Sequence, residues 1–306
     1  MLKWLLRLGL VFVLLLLVAI TCYYQDDKSG KELWDRYALA ESKTIEVDGL
    51  SVHYRIVGEG SPILLLHGTA ASLHTWSGWV AELQENYQLI TLDLPAFGLT
   101  GPHPEADYSI ASYVAFVESF RKEIGLDSFV LGGNSLGGLI AWNYAAQYPQ
   151  QVNDLILIDP SGFPTGKEPP LGFRLAQSDL WSKVIRYLTP KSLVKKSLLE
   201  VYGQDELVSD ALVDRYFDML LREGNRQAFI DRARTSMTAD TSLLTQIDIP
   251  TLLIWGAKDE WIPVELAYRF SDLLPQDTLV VFDELGHVPM EENPKKTLEA
   301  VKLFLD

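Results

Sequence analysis

Ser135 stands in Gly133-Asn134-Ser135-Leu136-Gly137, a G-x-S-x-G pattern. A serine hydroxyl is a weak nucleophile at neutral pH. It needs a base within hydrogen-bond reach, and that base needs an orienting acid. The chain has five histidines: His53, His67, His74, His103 and His287. His287, in Glu284-Leu-Gly-His-Val-Pro289 just past the last apolar run, is the expected base. Asp259, in Trp255-Gly-Ala-Lys-Asp-Glu-Trp-Ile-Pro263, is the expected acid. Asp159 also ends an apolar run and is its rival, while the adjacent Glu260 is expected to point elsewhere. Such a set does acyl transfer through a covalent serine intermediate. The oxyanion formed on the way needs two backbone amides. One is expected from Leu136, the residue after the serine, and the other from Thr69 in His67-Gly68-Thr69, with Ala70 as the alternative. His67 reads as structural, His74 and His103 as polar-loop residues, and His53 as a strand-surface residue.

The serine must sit on a sharp strand-to-helix turn for its hydroxyl to leave the sheet, and small neighbours allow the chain to pass closely. Residues 127–131 read as a buried strand and 136–148 as the following helix, whose N-terminal amides point at the same place. Neither G-x-G-x-x-G nor G-x-x-x-x-G-K-[ST] can be written across this turn, so it is not read as a nucleotide site. No histidine and carboxylate group has metal-ligand spacing, and no cofactor is expected.

Other elements follow the same rhythm. Alternating residues on both sides of Asp48-Gly49 read as a β-hairpin. Apolar runs at 63–66, 87–92, 152–158, 251–255 and 278–282 alternate with helical patterns at 76–86, 109–124, 264–274 and 294–305. That alternation predicts an α/β fold, with a mostly parallel central sheet covered by helices on both faces. Residues 93–98, Asp-Leu-Pro-Ala-Phe-Gly, read as a structural loop that shapes the floor of the site. Residues 161–246 break the rhythm with helical patterns and no convincing strand, and read as a helical cap insertion between core parts 44–160 and 247–306. Leu171, Phe173, Leu175, Trp181, Ile185 and Leu188 are candidates to line a cleft beneath it, or to pack its own core.

Composition narrows the partners. A net charge of −15 disfavours nucleic acid and suits a neutral or apolar substrate. The single cysteine, Cys22, excludes an intramolecular disulfide. Lys3 and Arg7 precede an uncharged run, so residues 1–24 read as a membrane anchor, with the body on the non-cytoplasmic side. A cleaved signal or lipidation is the alternative, and residues 25–43 read as a tether.

His67-Gly, Asp93-Leu-Pro-x-Phe-Gly, Gly-Asn-Ser135-Leu-Gly-Gly, Gly-x-x-Asp259-x-x-x-Pro and Gly-His287-x-Pro, in that order, closely resemble the α/β-hydrolase superfamily over residues 44–306. The order Ser…Asp…His is also that superfamily's order. The resemblance implies the triad Ser135, Asp259 and His287 and a helical cap. Within the superfamily the chain looks most like single-anchor esterases and monoacylglycerol-lipase-like enzymes. Gly-Asn-Ser-x-Gly-Gly also resembles the meta-cleavage C–C hydrolases, although those carry Ser-Gly-Pro-Gly where this chain has Thr69-Ala-Ala-Ser-Leu. The expected reaction is ester hydrolysis, with C–C, lactone or amide cleavage by the same triad as the alternative. A tethered, non-catalytic binding protein is the reading from another class.

Overall fold

The computed structural model describes residues 2–305. Eight strands form one sheet: β1 (Ser42–Val47), β2 (Leu50–Val57), β3 (Ser61–Leu66), β4 (Tyr87–Leu92), β5 (Phe129–Asn134), β6 (Val152–Ile158), β7 (Thr251–Gly256) and β8 (Asp277–Phe282). Their order across the sheet is β1-β2-β4-β3-β5-β6-β7-β8. β1 and β2 form an antiparallel hairpin, turned at Asp48 (φ 50°) and Gly49 (φ 79°). Two successive residues in the left-handed region make the turn whose twist matches that of the strands. β2 meets β4 antiparallel, and every later pair is parallel.

The apolar runs are continuous because both faces of the sheet are covered. Leu64, Leu66, Leu155, Leu157 and Leu253 enter one core cluster. Their immediate neighbours Ile63, Leu65, Ile156, Ile158, Leu252 and Ile254 enter the other. Thirteen α-helices complete the described residues. α1 (Leu2–Tyr23) and α2 (Gly30–Tyr37) precede the sheet. α3 (Ser77–Leu83), α4 (Ile110–Glu123) and α5 (Leu136–Gln147) connect its first strands. Between β6 and β7 come α6 (Leu171–Gln177), α7 (Trp181–Ile185), α8 (Lys191–Val201), α9 (Asp210–Leu220) and α10 (Asn225–Arg234), with no strand. α11 (Glu265–Ser271), α12 (Pro289–Glu292) and α13 (Pro294–Leu305) close the chain. Side chains of α4, α5 and α11 pack one face, and those of α3 and α13 the other.

The membrane anchor is corrected. Among the described residues no helix is long and apolar enough to cross a membrane. Arg7 lies in the second turn of α1, and Leu8 to Tyr23 spans only about 24 Å at 1.5 Å per residue, against roughly 30 Å of hydrocarbon. The placement of the body beyond a membrane through this segment falls with it. Met1, Asp306 and several side chains within α1, Cys22 among them, lie outside the described residues.

Residues 24–37 are docked as a strap. Lys28 N–H donates to the Leu221 carbonyl (2.7 Å) and Glu223 N–H donates to the Lys28 carbonyl (2.9 Å). Asp218 of α9 accepts from Lys28 (2.9 Å), Arg36 (2.6 Å) and Tyr37 (2.8 Å). Arg226 of α10 pairs with Asp27 at 2.6 Å. Leu33 is fully buried between Leu99 and Met219. Trp34 meets the His53 ring edge-on at 5.4 Å. His53 is therefore buried rather than on the strand surface, with Nδ1–H donating to Asp93 at 2.7 Å. His74 is buried too, not on a polar loop: its Nε2 bonds the Tyr37 carbonyl at 2.9 Å, and burial lowers its pKa to about 4.

Candidate active site

The structure brings Ser135, Asp159, Asp259 and His287 to one edge of the sheet, because each follows the carboxyl end of a parallel strand: β5, β6, β7 and β8. Ser135 has φ 54° and ψ −112°, in the left-handed range that L-residues avoid. Such strain persists only where the surroundings hold it. Here the Ser135 N–H donates to the Ile158 carbonyl (3.1 Å), and the Ser135 carbonyl accepts from Leu139 (2.9 Å) and Ser161 (3.1 Å).

The flanking glycines make the turn possible. A Cβ at Gly137 would lie 2.1 Å from the Leu66 carbonyl oxygen, and one at Gly133 would lie 2.3 Å from that of Gly137. Gly137→Ala must therefore push α5 off β3. Overpacking of this kind costs about 1–3 kcal/mol or more, and urea unfolding at pH 7 will read it as a lower midpoint. An unchanged midpoint would show that the elbow is looser than the geometry implies.

Asp259 accepts N–H bonds on Oδ1 from Trp261 (2.7 Å) and Ile262 (2.8 Å). Its Oδ2 lies 2.6 Å from His287 Nδ1. That contact places a proton on Nδ1 and leaves Nε2 as the acceptor. Trp261 packs beside the ring at 5.6 Å, and the His287 N–H donates to the Val201 carbonyl at 2.7 Å. Ser135 and His287 line the same inner cavity with Thr69 and Ala70. Leu136 is the first residue of α5, so its amide has no intrahelical partner. The Thr69 amide makes no hydrogen bond among the described residues.

Asp159 is fully buried, with φ 41°. Its Oδ1 accepts the Gly256 N–H at 3.0 Å, and its Oδ2 has no further protein partner. Burial first, and the neighbouring Asp259 second, push its carboxyl well above the ordinary range near 3.8, with Glu292 adding to the effect. Burial and the neighbouring Asp259 thus both favour the protonated form of Asp159. One ligand atom each from Asp159, Asp259 and His287 lies within 4.8 Å of the others. Sequence spacing did not show this cluster, because it assembles through space. The 2.6 Å contact fits a shared proton. Ligands about 2 Å from one ion stand roughly 3 Å apart or more.

Two supports were missed in the sequence. Asn134 Nδ2 donates to the Ile158 carbonyl (3.1 Å) and the His287 carbonyl (2.9 Å), tying β5 to the histidine loop. Glu292 accepts from Gly286 N–H and Gly203 N–H, both at 2.8 Å. Neither has a local signal, since its partners are distant in the chain. His67 is buried: its Nε2 accepts from Leu94 N–H (2.9 Å), so Nδ1–H donates to the Gly68 carbonyl (2.7 Å). Burial lowers its pKa. Asp93 accepts from Leu73 N–H and Leu99 N–H (both 2.7 Å) and from His53. Burial opposes its charge, but His53 and these bonds prevail and hold its pKa at about 2.

Two cavities meet at Ser135. The inner one, of about 130 Å³, is walled mainly by apolar groups, including Phe173, Ile185, Leu198 and Phe229. The outer one, of about 680 Å³, is lined by Leu171 and Phe173 together with charged side chains. Of the six candidates named from sequence, Phe173 and Ile185 line the inner cavity and Leu171 and Phe173 the outer. Leu175, Trp181 and Leu188 line neither.

A sequence family described as alpha/beta hydrolase fold matches residues 61–294. Lipase 1 of Psychrobacter immobilis is 28% identical over 294 residues, 92% of this chain and 86% of that protein. A 2-hydroxy-6-oxo-6-(2'-aminophenyl)hexa-2,4-dienoic acid hydrolase of Metapseudomonas resinovorans is 25% identical over 272 residues, 85% of this chain and 89% of its own. A crystal structure described as a membrane phospholipase A, a bacterial virulence factor, superposes with a TM-score of 0.75 at 29% identity, covering 100% of this chain and 98% of that one.

Proposed function

The chain belongs to the α/β-hydrolase family, and from that premise we propose that it hydrolyses carboxylic esters with lipid-like or small apolar acyl groups. The observation that carries the reading is a strained Ser135 sharing one cavity with His287, whose Nδ1 is held by Asp259. In the proposed sequence His287 Nε2 takes the Ser135 proton as Oγ attacks the ester carbonyl carbon. The amides of Leu136 and Thr69 stabilise the oxyanion. As the C–O bond breaks, His287 returns the proton to the leaving alcohol. Water then gives a proton to His287 and its hydroxyl to the acyl carbon, and the acid departs as Ser135 regains its hydrogen. Residues 161–246 act as a cap whose inner wall supplies the acyl pocket. The relative named as a lipase supports ester chemistry.

The second reading, C–C bond hydrolysis with the same residues, is favoured by the dienoic acid hydrolase relative. A p-nitrophenyl ester series of increasing chain length separates the two. Ester turnover with an optimum set by the inner cavity is expected. No turnover of any ester by the folded protein, with cleavage of a dienoate, would reverse the order.

A further inference from the structure

Arg232, in the last turn of α10, is only 8% exposed and lines the outer cavity. Its Nε is buried without a partner, and its guanidinium makes no hydrogen bond or ion pair among the described residues. Arg55, Arg215 and Arg222 also have a bare Nε, yet each bonds elsewhere: to Glu41, to Glu291 and to the Glu223 carbonyl. The other cations on the same wall are likewise engaged. Arg174 pairs with Glu168 (2.8 Å), Lys167 donates to the Glu260 carbonyl (2.9 Å), and Arg234 donates to Ser182 (2.9 Å). A buried, unpaired guanidinium costs free energy, and a folded protein keeps such a group where a ligand completes it.

We propose that the outer cavity is an oxyanion subsite for the part of the ester that leaves. The substrate would then be an apolar acyl chain joined to an alcohol bearing a phosphate or carboxylate, with Arg232 as the counter-charge. Three observations converge on it. The acyl chain suits the apolar cavity, so the leaving alcohol occupies the one lined by charged side chains. Both cavities touch Ser135. The other lining lysine, Lys196, pairs with Glu200 at 3.8 Å, so of the five cations on this wall Arg232 is the one without a counter-charge among the described residues. Guanidinium binds phosphate and carboxylate in paired, charge-assisted hydrogen bonds, which gives direction as well as attraction. The substrate class rests on the ester-hydrolase reading above; the anion site itself does not.

The test compares 1-acylglycerol with 1-acylglycerol 3-phosphate of the same short acyl chain, on the full chain and on Arg232→Gln. The ratio of kcat/KM for the anionic over the neutral ester should fall at least tenfold in the variant, about 1.4 kcal/mol, with KM carrying the change. Arg232→Lys should restore part of it. A ratio unchanged within twofold, or an equal fall on both esters, overturns the proposal. A second arm needs no catalysis. Glycerol 3-phosphate and glycerate are titrated calorimetrically into Ser135→Ala and into the same protein carrying Arg232→Gln. Binding of either anion, lost with Arg232, supports the subsite, and comparison of the two tells phosphate from carboxylate. Absence of binding by both overturns it even where the esters are turned over. If no ester is turned over but the anions bind through Arg232, the hydrolase reading fails and the subsite stands. Thermal unfolding completes the set: removing an unpaired buried charge should not lower the midpoint. A lowered midpoint with an unchanged ratio would make Arg232 a structural residue.

Discussion

Ser135→Ala is expected to lower ester turnover by about 10⁴-fold or more, because the attacking oxygen is gone while the rest of the site remains. The residue is buried and contributes little to packing: its Oγ makes no hydrogen bond among the described residues, and its backbone is held by Ile158, Leu139 and Ser161. Alanine can keep those three bonds and the same backbone angles, so the thermal midpoint should hold or rise slightly, with a buried hydroxyl removed. Steady-state kinetics on the best p-nitrophenyl ester, with active-site labelling by a fluorophosphonate, reads the loss. The parent should take up one label per chain and the variant none. Residual activity within tenfold of the parent would remove Ser135 from the mechanism, and with it the acyl-serine intermediate.

The second large effect separates two aspartates that stand side by side. Asp259→Asn should cost about 10⁴-fold in kcat, since an amide no longer fixes the His287 proton on Nδ1. Asp159→Asn should stay within about tenfold of the parent, because an amide keeps the size and donor capacity of a neutral acid. The stability signs follow from linkage. Asp159 has its pKa raised above that of the unfolded chain, with Asp259, Glu292 and His287 as its charged or titratable neighbours. Its contribution to stability is fully present below the unfolded carboxyl range and is lost as pH rises toward the folded value. The Asp159→Asn protein should therefore match the parent near pH 4 and exceed it at pH 7 in urea unfolding. If Asp159→Asn instead loses as much turnover as Asp259→Asn, the acid assignment moves to Asp159 or to the pair.

Much of the fold is readable in the sequence because its signals are local. The run 63–66 is apolar throughout since β3 is covered on both faces, and Asp48-Gly49 bends the chain by backbone preference alone. The residues proposed to react were singled out by type and by position at strand ends. What was not legible depends on distant partners. His53 alternates like a surface residue, but Trp34 and Asp93 enclose it. Asp159 stands out in the sequence only as a rival to Asp259 at a strand end; that the two lie side by side shows only in space. Arg232 reads as an ordinary helix-end cation, and only the absence of a counter-charge sets it apart. Residues 1–24 differ on another ground: the uncharged run from Leu8 is at the short edge of a spanning length, and among the described residues no helix is long and apolar enough to cross a membrane.

The strap also dictates an order of assembly. Lys28 and its partner Asp218 are 190 residues apart in the chain. During synthesis at about 5–20 residues per second, the strap waits roughly 10–40 s before α9 exists to receive it. β-pairing and the elbow can form in that interval, but the clasp from Lys28 to Tyr37 cannot. The first-made segment is thus among the last to find its place, and α9 and α10 gain their contacts with Lys28, Arg36, Tyr37 and Asp27 only when it does.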